Sequence, residues 1–74
     1  MTKFPSFKPR DIEKILYKNG FILKRQTGSH RVFHSTETDK VVIFPYHSRD
    51  IARGTVRSII KQTGLDENKF LKKL

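Results

Sequence analysis

Gly28-Ser29-His30-Arg31-Val32-Phe33 reads as a tight turn running into a strand. Gly28 supplies the positive φ that a hairpin turn needs. Arg31, Val32 and Phe33 then continue as strand residues, and His30 takes the strand's first position, close to a rim that a substrate can approach. Upstream, Phe21 to Gln26 carries the apolar and long side chains of a first strand. Downstream, Lys40 to Pro45 reads as a third. The connections are short, Thr27-Gly28 in the first hairpin and the polar Thr36-Glu37-Thr38-Asp39 in the second. Consecutive strands are therefore expected to be neighbours in a three-stranded antiparallel meander.

Helices flank this sheet. Pro9 suits a first helical turn, Asp11 and Glu13 complement the positive end of the helix dipole, and Ile12, Ile15 and Leu16 form a buried stripe. Asn19-Gly20 stops the helix, which is predicted over 9–19. Met1 to Lys8 reads as an irregular arm whose Phe4 and Phe7 pack back on the body. Tyr46 to Arg53 reads as a polar connection. Gly54-Thr55 opens a second helix ending near Thr63, with Val56, Ile59 and Ile60 on its apolar side and Gly64 as its stop. Asp66 caps a short last helix bearing Phe70, Leu71 and Leu74. The order predicts one α+β domain over residues 1–74, α-β-β-β-α with both main helices on one sheet face, plus the short C-terminal helix.

Sixteen Lys and Arg against seven Asp and Glu give a net charge of +9 on 74 residues. Such a field draws in a polyanion such as nucleic acid, or an acidic protein; a merely solvated surface is the competing reading. No cysteine is present, so disulfides are excluded and the chain suits a reducing compartment. No apolar run is long enough for a membrane span and the first residues lack the apolar core of a signal peptide, so the cytoplasm is the expected location.

A two-residue turn at Thr27-Gly28 sets His30 opposite Arg25 and Val32 opposite Leu23, with these four on the helix-facing side and His30 and Arg25 at its edge. Lys24 and Arg31 then oppose each other on the other face, a repulsion that a bound anion would relieve. A one-residue slip would invert the two sets. The end of strand three returns beside the start of strand two, bringing Tyr46-His47 toward His30. Arg49, Arg53, Arg57 and Lys61 recur every four residues, so that from Arg53 onward they form one helical stripe, read either as an anion-binding surface or as the wet side of an amphipathic helix.

Three chemistries can be weighed at these histidines. His30 and His34 stand four residues apart on one strand, roughly 13 Å, too far to share a metal, and no carboxylate completes a set; no metal or other cofactor is expected. Ser29 adjoins His30 but points to the opposite face, so a serine nucleophile is poorly supported. General acid–base catalysis needs less, because RNA carries its own nucleophile, the 2′-hydroxyl. A base that takes its proton lets that oxygen attack the adjacent phosphorus, giving a cyclic phosphate and a free 5′-hydroxyl. His30 as base or acid, Arg25 as phosphate clamp and His47 as candidate second proton carrier suffice. Lys24, Arg25, Ser29, Arg31, Arg49, Arg53 and Arg57 are the residues expected to bind RNA; His34 reads as structural or surface.

At these residues the chain resembles the HicA (YcfA-like) family of mRNA interferase toxins from HicA–HicB toxin–antitoxin pairs. The resemblance is carried by Gly20-Phe21, by Arg25-Gln26-x-Gly28-Ser29-His30, by Val42-x-x-Pro45-x-His47 and by Gly54-Thr55-x-Arg57-x-Ile59-x-Lys61-Gln62-x-Gly64-Leu65. It implies a double-stranded-RNA-binding-domain-like fold, ribonuclease activity on mRNA with His30 catalytic, blocked translation, and a HicB-type antitoxin covering the active face, with room for higher-order toxin–antitoxin assembly. Two departures are mild: the Thr36–Asp39 turn lacks the glycine common there, and the N-terminal arm is slightly long. The alternative is a non-catalytic double-stranded-RNA-binding module. DNA reading by the second helix is weaker, since only Gln62 could read a base edge.

Overall fold

The computed structural model describes residues 6–47 and 49–71. Six elements follow the predicted order: α1 (Pro9–Lys18), β1 (Phe21–Thr27), β2 (His30–Ser35), β3 (Val41–Pro45), α2 (Arg53–Thr63) and α3 (Glu67–Leu71). The strands form one antiparallel sheet in the order β1-β2-β3. Both main helices cover the same sheet face, as expected.

Local chemistry explains the element ends. Lys8 donates its backbone N–H to Asp11 Oδ2 at 2.9 Å, closing the start of α1 around Pro9. At the far end Asn19 donates its side-chain amide to Ile15 O at 2.8 Å and Gly20 adopts φ 86°. The β2–β3 turn closes with Asp39 N–H on Ser35 O and puts Asp39 itself at φ 58°, so an aspartate does the work of the missing glycine.

The core is apolar. Ile12, Ile15 and Leu16 of α1 meet Phe21, Phe33, Val42 and Phe44 of the sheet, and Val56, Ile59 and Ile60 of α2 close the other side. Phe33 and Phe44 stack at 5.7 Å. The arm contributes Phe7, which is fully buried, and its carbonyl accepts the N–H of Ile51 at 2.7 Å. That bridge buries Ile51 and fastens the β3–α2 connection to the start of α1; Ile51 was not among the predicted core residues. Phe70 of α3 packs on Phe7 at 6.0 Å. Phe4, Leu74 and the side chain of Leu71, also expected in the core, lie outside the described residues.

The hairpin turn lies one residue later than expected, so partners beside it shift by two, and the face of β2 turned to the helices is the opposite of the expected one. Thr27 pairs with His30, leaving Gly28-Ser29 as the two-residue turn. Gly28 has φ 57°, and Ser29 is not among the positive-φ residues, the pattern of a type II′ hairpin. Gln26 then opposes Arg31, and Arg25 opposes Val32. Arg31, Phe33 and Ser35 face the helices; His30, Val32 and His34 face away. The Arg25–His30 and Lys24–Arg31 pairings do not form. A bulge between Leu23 and Arg25 leaves Lys24 unpaired, and both Lys24 and Arg25 border a shallow concavity on the uncovered face with Val32, His34 and Val41. Leu23, opposite Phe33, is left at the sheet's margin, 36% exposed.

Candidate functional site

The site end of the molecule is built by three returns of the chain. His30 lies opposite Pro45, and the next backbone pair is Tyr46 N–H on Ser29 O, so the hairpin tip and the end of β3 are tied together. The first turn of α1 lies beside Tyr46 and His47, with which Lys8, Pro9 and Arg10 share a concavity. Gln62, near the C-terminus of α2, accepts the N–H of Ile43 at 3.0 Å, and Gly64 lies against Lys40 at the start of β3. Helix α2 therefore runs antiparallel to β3, and its N-terminus points to the Pro45 end. The positive ends of both helix dipoles thus lie at the end that carries His30.

His30 is exposed on the uncovered face. On that face Thr27 is its direct neighbour and Arg25 its diagonal one across β1. Ser29 sits in the turn, exposed. His47 is exposed beyond β3, and its Nδ1 accepts the backbone N–H of Arg49 at 3.3 Å, leaving Nε2 for other contacts. Arg49, Arg53 and Arg57 are all exposed on the connection and on α2. Lys24 and Arg25 come together through the bulge.

Arg31 is the residue the structure moves furthest from its expected position. It lies under the sheet, where Nη1 donates to Glu13 Oε2 at 2.6 Å and the guanidinium covers the Tyr46 ring at 3.6 Å. Tyr46 completes the triangle by donating its hydroxyl to Glu13 Oε1 at 3.2 Å. Burial pushes the Tyr46 pKa above its ordinary value, and the Glu13 carboxylate beside it adds to the rise, against smaller opposing effects of Arg31 and Arg10. Composition and spacing gave no sign of this triangle, because its members lie 18 and 33 residues apart and meet only through the fold.

His34 is paired with Asp39, Nε2 to Oδ1 at 2.9 Å, which ties it to the β2–β3 turn. Among the described residues no group of three or more His, Asp or Glu side chains stands ready to hold a metal ion. No helix among them is long and apolar enough to cross a membrane.

The uncovered sheet face has a second character. Ile22, Val41 and Ile43 are each about half exposed, at 47%, 47% and 49%, and they surround Val32 with Lys24 and Arg25 at the margin.

Fold and site together define a class: a small basic α-β-β-β-α domain with an accessible imidazole at the sheet end toward which both main helices point their N-termini. The family model described as HicA toxin of bacterial toxin–antitoxin matches residues 9–65, and the chain belongs to that family. It is the toxin of a toxin–antitoxin pair, and a cognate antitoxin is its partner. No curated protein matches the sequence.

Proposed function

We propose that the protein is an endoribonuclease that cleaves mRNA in the cytoplasm and so blocks translation, with His30 as the catalytic residue. The observation that carries this reading is the exposed His30 at the end of the sheet toward which the positive poles of α1 and α2 point. The imidazole takes the 2′-hydroxyl proton, the oxygen attacks phosphorus, and the bond to the 5′-oxygen breaks, leaving a cyclic phosphate. The substrate brings its own nucleophile, so the reaction requires no metal-bound water.

Arg25, diagonal to His30, is suited to clamp the scissile phosphate from the same face. His47, whose Nε2 is left free by the Nδ1 contact with Arg49, is the candidate second proton carrier, which in its imidazolium form protonates the leaving 5′-oxygen. Lys24, Ser29, Arg49, Arg53 and Arg57 guide the RNA backbone. Arg31 contributes differently from the expectation: engaged with Glu13 and Tyr46, it holds the floor beneath His30 and is a positioning residue.

The antitoxin, on this reading, is a HicB-type protein that covers the active face. The half-exposed Ile22, Val41 and Ile43 give it an apolar seat, and the basic margin favours an acidic partner.

Purified protein and His30→Ala, each incubated with RNA with and without EDTA, test the activity. Wild type is expected to cut in both conditions and to leave 5′-hydroxyl ends, and His30→Ala to be inert with an unchanged circular dichroism spectrum. Equal binding of duplex RNA by both proteins with no cutting by either would instead identify a non-catalytic RNA-binding module.

A further inference from the structure

We propose that the concavity between the first turn of α1 and the β3–α2 connection is a second nucleotide subsite, which holds a single-stranded RNA nucleotide flanking the one cut at His30; the inference rests on the ribonuclease reading above. The concavity has a volume of about 330 Å³ and is lined by Lys8, Pro9, Arg10, Tyr46 and His47. That volume falls at the small end of the range of ligand sites, about 300–1,000 Å³.

The lining has the chemistry of a nucleotide site. Lys8 and Arg10 supply two positive charges, His47 a ring nitrogen, and Pro9 and Tyr46 flat apolar surfaces for a ribose or base. Among the described residues no carboxylate lines it. Of the acids nearby, Asp11 accepts the Lys8 backbone N–H and Glu13 accepts from Arg31 and Tyr46, while Asp50, beside the Phe7–Ile51 bridge, is exposed and outside the lining. Neither Lys8 nor Arg10 has a carboxylate partner among the described residues. The Tyr46 ring is held by Arg31 over it and by Glu13 at its hydroxyl, so this wall is fixed before any ligand arrives.

Location decides between RNA and protein as occupant. The concavity adjoins the catalytic end, since Tyr46 is bonded to Ser29 and His30 pairs with Pro45. An RNA strand lying on His30 reaches it by passing round the end of the sheet, over Pro45 and Tyr46. The apolar seat suited to a protein is on the uncovered sheet face, formed by Ile22, Val41 and Ile43.

The test uses full-length His30→Ala, which keeps RNA intact, and fluorescence anisotropy with a short single-stranded RNA and with versions lengthened by one or two nucleotides at either end. Lengthening at one end is expected to tighten binding about tenfold, one good base or phosphate contact. Adding Lys8→Ala and Arg10→Ala should abolish that gain and lower the slope of log K against log salt by about 1.4, two single-strand phosphate contacts at roughly 0.7 each. An unchanged gain and slope in that variant, or no gain at either end, overturns the subsite, whether or not wild type cuts RNA. Loss of antitoxin binding with RNA binding intact overturns it too, by assigning the concavity to protein. If wild type cuts no RNA yet the gain appears and vanishes with the two substitutions, the subsite stands and the ribonuclease reading fails.

Discussion

Arg31 in β2 and Glu13 in α1, 18 residues apart in the chain, are joined by a 2.6 Å ion pair that pins the central strand to the first helix directly beneath the hairpin carrying His30. Both side chains are about four-fifths buried, so removing one partner strands the other. Glu13→Ala is expected to lower stability by about 1–3 kcal/mol, since it orphans both the guanidinium and the Tyr46 hydroxyl. Glu13→Gln, which keeps an acceptor, should lose less. Urea denaturation of the two variants checks the order.

The same triangle gives a pH signature. Tyr46 is harder to ionise in the folded state than in the unfolded chain. The unfolded state therefore sheds that proton first, and the stability contributed by the neutral phenol is intact below pH ~10 and drains away as pH rises toward the folded pKa. Wild type should lose stability above pH ~10 more steeply than Tyr46→Phe. Parallel curves for the two proteins would show that the phenol is not linked to folding.

Arg25 and Arg31 should separate in assays although both are arginines of one hairpin. Arg25→Ala is expected to reduce cleavage by about 10–100-fold, the value of one charge-assisted hydrogen bond, with unfolding within about 0.5 kcal/mol of wild type. Arg31→Ala should show the reverse emphasis, a marked loss of stability. Melting curves beside cleavage rates make the comparison.

Gly28 holds φ 57° at the turn that sets the height of His30. Gly28→Ala is expected to cost about 1–2 kcal/mol and to depress cleavage, whereas Gly28→Asn, which tolerates that region, should retain more of both.

Ile43→Asp probes the uncovered face. It removes only the half of the side chain that packs on the sheet, so folding should change by about 1 kcal/mol, while affinity for the antitoxin falls at least tenfold in calorimetry. Unchanged affinity would move the antitoxin to another surface.

Much of the architecture was legible. The Ile12, Ile15, Leu16 stripe, the Asn19-Gly20 stop and the short polar connections define the helices, the meander and their order without ambiguity. Register was harder to read, because Gly28 can serve as the second residue of a Thr-Gly turn or the first of a Gly-Ser turn. The pairing of Thr27 with His30 makes it the latter, and burial of Phe33 with Ser35 separately sets which face of β2 turns inward. The bulge at Lys24 carries no glycine to announce it. Ile51 sits among Arg49, Asp50 and Arg53, with no periodicity, and is buried only because Phe7 reaches back from the arm. At the candidate site, the histidines and cations could be picked out as residue types. That Arg31 would turn inward depended on which face of β2 the helices cover.

The contact between Gln62 and Ile43 also limits how this protein can self-associate. On the outer rim of β3 the Ile43 N–H is occupied by Gln62 and Pro45 has none to offer, which closes much of that rim to another strand. Among the described residues the outer rim of β1 is the more open template. Two copies joined β1 to β1 would consume both of these rims at once, so growth by sheet extension would halt at a pair.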